Sequence, residues 1–275
     1  MLVHFQVCVK YLILSVLLLE YTCTGNKLIL EAQKPTSGSE GELIRGDDSG
    51  INTYLEQDVI TMEPRPVFVL IGDSITQYSA NPYILGFGDL LGFEYTRRVD
   101  VINRGLSGYT TEKMLRTNAF DHIMNEVSYF ESPALITLFL GTNDAIVPPD
   151  PVSVPLKKYV RNMKTMVKTI KNIYKDTSIL LICPPPVDDS KFPNRNNHVT
   201  GLYADACMTL AAMLKVPSVE LYTHMQALPD WKSCFVDGLH FSKRGHQEVF
   251  KVIKQKIDTA FPMLQVANIP MQYPQ

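Results

Sequence analysis

From Pro66 onward the chain alternates short apolar runs with longer amphipathic stretches, and that alternation restricts the fold more than any other feature. A short, mainly apolar run reads as a strand covered on both faces, the pattern of a parallel sheet. Such strands are expected at about 67–71, 99–103, 134–140, 178–183 and 218–221. Residues 156–174 carry Tyr159, Met163, Met166, Val167 and Ile170 at helical spacing, and 195–214 and 242–261 behave likewise. The methionines in these stripes read as core filling. Strands alternating with helices predict the α/β class, a three-layer αβα sandwich around an about five-stranded parallel sheet. The expected arrangement is flavodoxin-like, with its site among the loops at the C-terminal ends of the strands.

At 275 residues with 45% hydrophobic content, the chain can bury one full core but is short for two substantial domains. The expected single core domain occupies 64–262, followed by an irregular tail at 263–275. Ahead of it, residues 25–63 mix Gly, Ser, Glu and Asp without periodicity and read as a flexible linker. Residues 1–24 look like a signal-peptide leader: the apolar run Tyr11 to Leu19 follows His4 and Lys10, precedes Thr22, Cys23, Thr24 and Gly25, and is short for a membrane span. The leader points to secretion or an endomembrane lumen. Two features point instead to a cytoplasmic or membrane-anchored protein: no Asn opens an N-x-Ser/Thr sequon, and loss of Cys8 and Cys23 leaves the odd set Cys183, Cys207 and Cys234. The net charge of −2, with no basic cluster interleaved with aromatics, excludes nucleic acid as a partner and suits a neutral or weakly charged small molecule. No protein partner is indicated.

At the end of the first expected strand stands Gly72-Asp73-Ser74, where open α/β sheets do chemistry. A hydroxyl is a weak nucleophile until a base takes its proton, and His240 is the candidate base for Ser74. Asp237, three residues before it, can fold back onto the ring Nδ1 and fix the tautomer. Taken singly, each residue has a blander and commoner reading: Asp73 and Ser74 as a turn and helix cap, Asp237 and His240 as surface-loop residues. Two further strand exits shift the balance. Asn103 to Gly108 follows the second strand, and Gly141-Thr142-Asn143-Asp144 follows the third. The backbone N–H groups of Ser74 and Gly108 and the Asn143 amide could converge on an oxyanion, although Gly and Asn are also ordinary turn residues. His122, His198, His224 and His246 have no second ligand at a metal-like spacing. Trp231, Phe235 and Phe241 flank the Asp237 to His240 segment and read as packing rather than a substrate platform.

In this order, Gly72 to Thr76, Gly108 within Asn103 to Gly108, Gly141 to Asp144 and Asp237-Gly238-Leu239-His240 resemble the four blocks of the SGNH, or GDSL-type, hydrolases over about residues 66–260. Arg104-Gly105-x-Ser107-Gly108-Tyr109, together with Ser242 and Gly245 after the last block, is similar to the isoamyl acetate-hydrolysing esterase group. The resemblance implies that Ser74 is the nucleophile, His240 the base, Asp237 its orienting acid, and Gly108 and Asn143 oxyanion donors. It implies hydrolysis of a small carboxylic ester, acetyl esters foremost, through an acyl-serine and without a cofactor or metal. Carbohydrate or lipid deacylation by the same residues is the alternative, because a fold and triad do not set the substrate. A catalytically silent binding protein is the other; drift without selection for catalysis would have broken at least one position of a set that is complete here. No Gly-x-Ser-x-Gly elbow is present, which separates the chain from ordinary α/β-hydrolases. Residues 1–63 have no counterpart in the motif pattern.

Overall fold

The computed structural model describes residues 64–130 and 132–273, so the expected leader and linker lie outside the described residues. In chain order the elements are β1 (Val67–Gly72), α1 (Ser74–Gln77), α2 (Phe87–Glu94), β2 (Asp100–Gly105), α3 (Thr111–Arg116), α4 (Ala119–Val127) and β3 (Leu135–Phe139). They continue with α5 (Leu156–Ile173), β4 (Ser178–Ile182), α6 (Asn197–Leu214), β5 (Ser218–Val219), α7 (Tyr222–Gln226) and α8 (Lys243–Ala260). All five strands pair in parallel, in the order β2-β1-β3-β4-β5.

The register explains the unbroken apolar runs. Val69 lies beside Ile136, and Ile136 beside Ile179, in one row; Leu70, Thr137 and Leu180 make the next. Val67, Val69 and Ile71 face a core with Met114, Phe120, Tyr159, Met163 and Cys207 from α3 to α6. Phe68 and Leu70 face the opposite core, with Phe87 and Leu91 of α2, Met225 of α7, and Val249, Ile253 and Ile257 of α8. With helices on both faces, every side chain of the central strands β1 and β3 is buried and no polar alternation survives there.

Packing also fixes the long helices. No side chain caps the N-terminus of α5, but its five stripe residues, Tyr159 to Ile170, are all buried. A cap is worth about 1 kcal/mol, whereas each fully buried large side chain contributes about 1.5–3 kcal/mol, so the buried stripe decides.

Three expectations need amending. β5 ends at Val219 rather than residue 221, because the Glu220 carboxylate turns to accept the N–H groups of Thr223 and His224 at the start of α7. β2 runs to Gly105, a sheet edge only half covered. The segment after α8, expected as an irregular tail outside the domain, packs against it: Leu264 and Ile269 are buried in the second core, and the Tyr95 hydroxyl donates to the Leu264 carbonyl at 2.8 Å.

From β1 the chain first crosses to β2 on one side and then returns to β3 on the other. The loops leaving β1 and β3 therefore diverge, and the crevice between them is where parallel sheets of this order bind ligands.

Candidate active site

Asp73 is the N-cap of α1: the Ile75 N–H donates to its Oδ1 at 2.9 Å. The bland reading of Asp73 as a cap is therefore right, and it coexists with a site, because the cap makes Ser74 the first helical residue at the sheet edge. At that position the Ser74 N–H has no intrahelical acceptor. Burial pushes the Asp73 carboxyl up to about 7, against the Ile75 hydrogen bond, which favours its charged form.

The second part of the site is the loop between the 3-10 turn Trp231–Cys234 and α8. Phe235 and Phe241 form an isolated antiparallel bridge, and the Val236 N–H donates to the His240 carbonyl at 2.9 Å. The narrow loop so closed presents Asp237 and His240. Asp237 Oδ1 accepts the N–H groups of Leu239 and His240 at 2.9 and 2.8 Å, and Oδ2 lies 2.7 Å from His240 Nδ1. His240 Nε2 in turn lies 2.9 Å from Ser74 Oγ. Partial burial raises the Asp237 pKa, but the His240 ring and backbone hydrogen bonds outweigh it and the net shift is downward. Asp237 is thus an ionised acceptor, so Nδ1 carries the ring proton and Nε2 turns a lone pair toward the Ser74 hydroxyl.

The loop is pinned from behind. Gly238 holds φ +93°, and its carbonyl accepts the Asp188 N–H at 2.8 Å. Asp188 is also clamped by Lys232 Nζ at 2.8 Å. Phe235 and Phe241 are buried with ring centroids 5.5 Å apart, and Trp231 meets Phe235 edge-on, so these aromatics are packing, as their positions in the sequence predict.

Gly108 sits in the turn after β2 at φ +72°, with an N–H that has no acceptor among the described residues. Open space surrounds its Cα, so the left-handed dihedral and not crowding calls for glycine. That turn is tied to α1, since the Ser107 N–H donates to Gln77 Oε1 at 2.9 Å and Asn103 Nδ2 to the Thr76 carbonyl at 2.6 Å. It is tied to the β3 exit as well: Asn143 Nδ2 donates to the Tyr109 carbonyl at 3.1 Å, and Asp144 accepts the Thr111 N–H at 3.0 Å. Burial raises the Asp144 carboxyl to about 6, with the Thr111 bonds opposing. The structure therefore links the loops bearing Ser74, Gly108 and Asn143, and hydrogen-bonds Ser74, His240 and Asp237 in a row.

Residues 70–248 match the model of the GDSL-like lipase/acylhydrolase family. The chain belongs to this family. It is a carboxylic ester hydrolase. A GDSL esterase/lipase of Arabidopsis thaliana is 35% identical over 212 residues, 71% of this chain and 87% of the relative. The isoamyl acetate-hydrolyzing esterase 1 homolog of Homo sapiens is 32% identical over 218 residues, covering 72% and 85% of the two chains. Among solved structures, a lipase/acylhydrolase from Enterococcus faecalis has a TM-score of 0.59 at 23% identity, over 76% of this chain and all of the other. The acetylxylan esterase Axe2 from Geobacillus stearothermophilus has a TM-score of 0.54 at 20% identity, over 71% and 96%. At such identities the two structures speak for the fold alone.

Two residues of this GDSL-type hydrolase escaped the sequence reading. Tyr78 meets the His240 ring edge to face, centroids 5.1 Å apart, one helical turn after Ser74. Arg195, read only as the start of a helical stripe, is buried and donates to the Thr142 carbonyl and to Asn143 Oδ1. No spacing rule connects either to the motif blocks. Of the remaining histidines, His246 is buried between Phe87 and Phe241, and burial lowers its pKa to about 4.

Proposed function

We propose that the enzyme hydrolyses short-chain carboxylic esters, acetyl esters foremost, through an acyl-enzyme on Ser74. The supporting observation is the continuous chain of contacts from Asp237 Oδ2 to His240 Nδ1 at 2.7 Å and from Nε2 to Ser74 Oγ at 2.9 Å. Both distances are those of ready hydrogen bonds, and a protein that only bound esters would have no need of them.

In this reading Ser74 Oγ attacks the ester carbonyl carbon as its proton passes to His240 Nε2. The carbonyl oxygen becomes an oxyanion facing the N–H groups of Ser74 and Gly108 and the free N–H of Asn143, donors each worth about 3 kcal/mol in comparable enzymes. Collapse breaks the bond to the alcohol oxygen, which leaves with the proton from Nε2. Water then attacks the acyl carbon, gives a proton to Nε2, and releases the acid with Ser74 restored. Asp237 stays ionised throughout and stabilises the imidazolium.

The acetyl preference rests on the 32% identity to the human isoamyl acetate-hydrolyzing esterase homolog. Its test is kcat/KM on p-nitrophenyl esters of increasing acyl length. Highest values for acetate and butyrate with a fall beyond support it; values that rise steadily with length would mean a lipid acylhydrolase.

A further inference from the structure

Arg195, in the turn before α6, is only 9% exposed. A guanidinium taken from water costs on the order of several kcal/mol unless its charge is compensated. Both of its hydrogen bonds nevertheless go to uncharged oxygens: Nη1 donates to the Thr142 carbonyl at 2.5 Å and Nη2 to Asn143 Oδ1 at 2.9 Å. Burial lowers its pKa, and Asp73, Asp150 and Asp237 oppose that from beyond hydrogen-bond distance. An arginine kept for stability alone would be expected to carry a carboxylate, and this one carries an amide.

The amide has two chemically opposite ends. A guanidinium only donates, so it fixes Asn143 with Oδ1 toward Arg195 and the NH₂ group turned the other way. One of those two N–H groups reaches the Tyr109 carbonyl at 3.1 Å, which leaves the second for a ligand. A buried cation on the oxygen end also polarises the amide toward greater donor strength at its nitrogen end.

We infer that Arg195 is a positioning residue of the oxyanion hole: it locks the Asn143 amide in the donating orientation and strengthens the bond that forms as the tetrahedral intermediate appears. The inference rests on the reading of Asn143 as an oxyanion donor. It adds a residue remote from the four motif blocks to the set that governs turnover. The competing role is mechanical, a pin between the 195–197 turn and the β3 exit.

A double-mutant cycle on the full chain separates the two roles, with kcat and KM on p-nitrophenyl acetate measured per fluorophosphonate-titrated active site. With Asn143 present, Arg195→Met is expected to lower kcat about thirtyfold and to change KM less than about twofold, since the interaction is made in the transition state. In an Asn143→Ala background the same substitution should cost less than about threefold, because its route of action is gone. Arg195→Lys, which keeps the cation but not the fork, should fall between and carries the same cycle if the methionine variant does not fold. Equal losses with and without Asn143, or an unchanged kcat, would overturn the inference and leave Arg195 a mechanical pin. If Asn143→Ala alone leaves kcat intact, the oxyanion reading itself fails, a result distinct from either.

Discussion

His240 Nε2 and Ser74 Oγ lie 2.9 Å apart although 166 residues separate them in sequence. The contact depends on the α8 face of the sheet being closed correctly, since Ser74 leaves β1 and His240 stands before α8, whose Val249, Ile253 and Ile257 pack in the same core as Phe68 and Leu70. Local fit at the site is thus a consequence of long-range packing.

His240→Ala removes the base, whereas Asp237→Ala removes its orientation, so the first should lower kcat further, by about a thousandfold or more. Stability should follow the opposite order. Asp237 accepts two backbone N–H groups, and its side chain is 43% exposed, so water can replace part of what is lost. Asp237→Ala is expected to cost about 1 kcal/mol of unfolding free energy, and His240→Ala less. Urea denaturation and initial rates on the same preparations check both orders.

Gly238→Ala should damage the loop from the backbone outward. At φ +93° a side chain is strained, and a Cβ would stand 3.1 Å from Asp188 Cβ and Lys191 Cδ. A loss of about 1–3 kcal/mol in stability is expected, together with a lower kcat as His240 shifts away from Ser74. Thermal denaturation and activity per folded molecule measure the two effects; an unchanged kcat would show that the loop tolerates a displaced turn.

The strands were legible because a sheet covered on both faces leaves uninterrupted apolar runs such as Val67 to Ile71. The long helices were legible because stripes such as Tyr159 to Ile170 span several turns. Helices as short as α1, α3 and α7 give no period to detect, and the end of β5 was misjudged because Glu220 acts as a cap, a role no hydropathy pattern encodes. Ser74, Gly108 and Asn143 could be singled out because they stand just after expected strands, and Asp237 and His240 because a carboxylate three residues before an imidazole can fold back onto its ring. Arg195 and Tyr78 could not, because their relation to Asn143 and His240 exists only in the folded chain.

The buried carboxyl of Asp73 predicts a pH dependence of stability with a definite sign. Its pKa is raised from 3.8 to about 7 by burial, with repulsion from Asp144 adding and attraction to Arg195 opposing. Between those two values the folded chain holds a proton that the unfolded chain has released, so this residue's contribution to stability falls as pH rises and is fully lost above about 7. Asp73→Asn keeps an oxygen for the Ile75 N–H but cannot ionise. Its stability relative to the parent chain should therefore increase steadily from pH 4 to pH 7 in chemical denaturation, the range set by the two values. A constant difference across that range would mean that Asp73 is ionised throughout.

Acylation of Ser74 is the central claim, and a fluorophosphonate probe tests it most directly. The parent chain should take up one probe per molecule at Ser74, located by peptide mass, and lose its esterase activity in step with labelling. Ser74→Ala, folded to the same extent, should take up none and lose several orders of magnitude in kcat with little change in KM. Labelling at another residue, or a folded Ser74→Ala protein that keeps more than about a tenth of the parent turnover, would contradict an acyl-serine mechanism at this position.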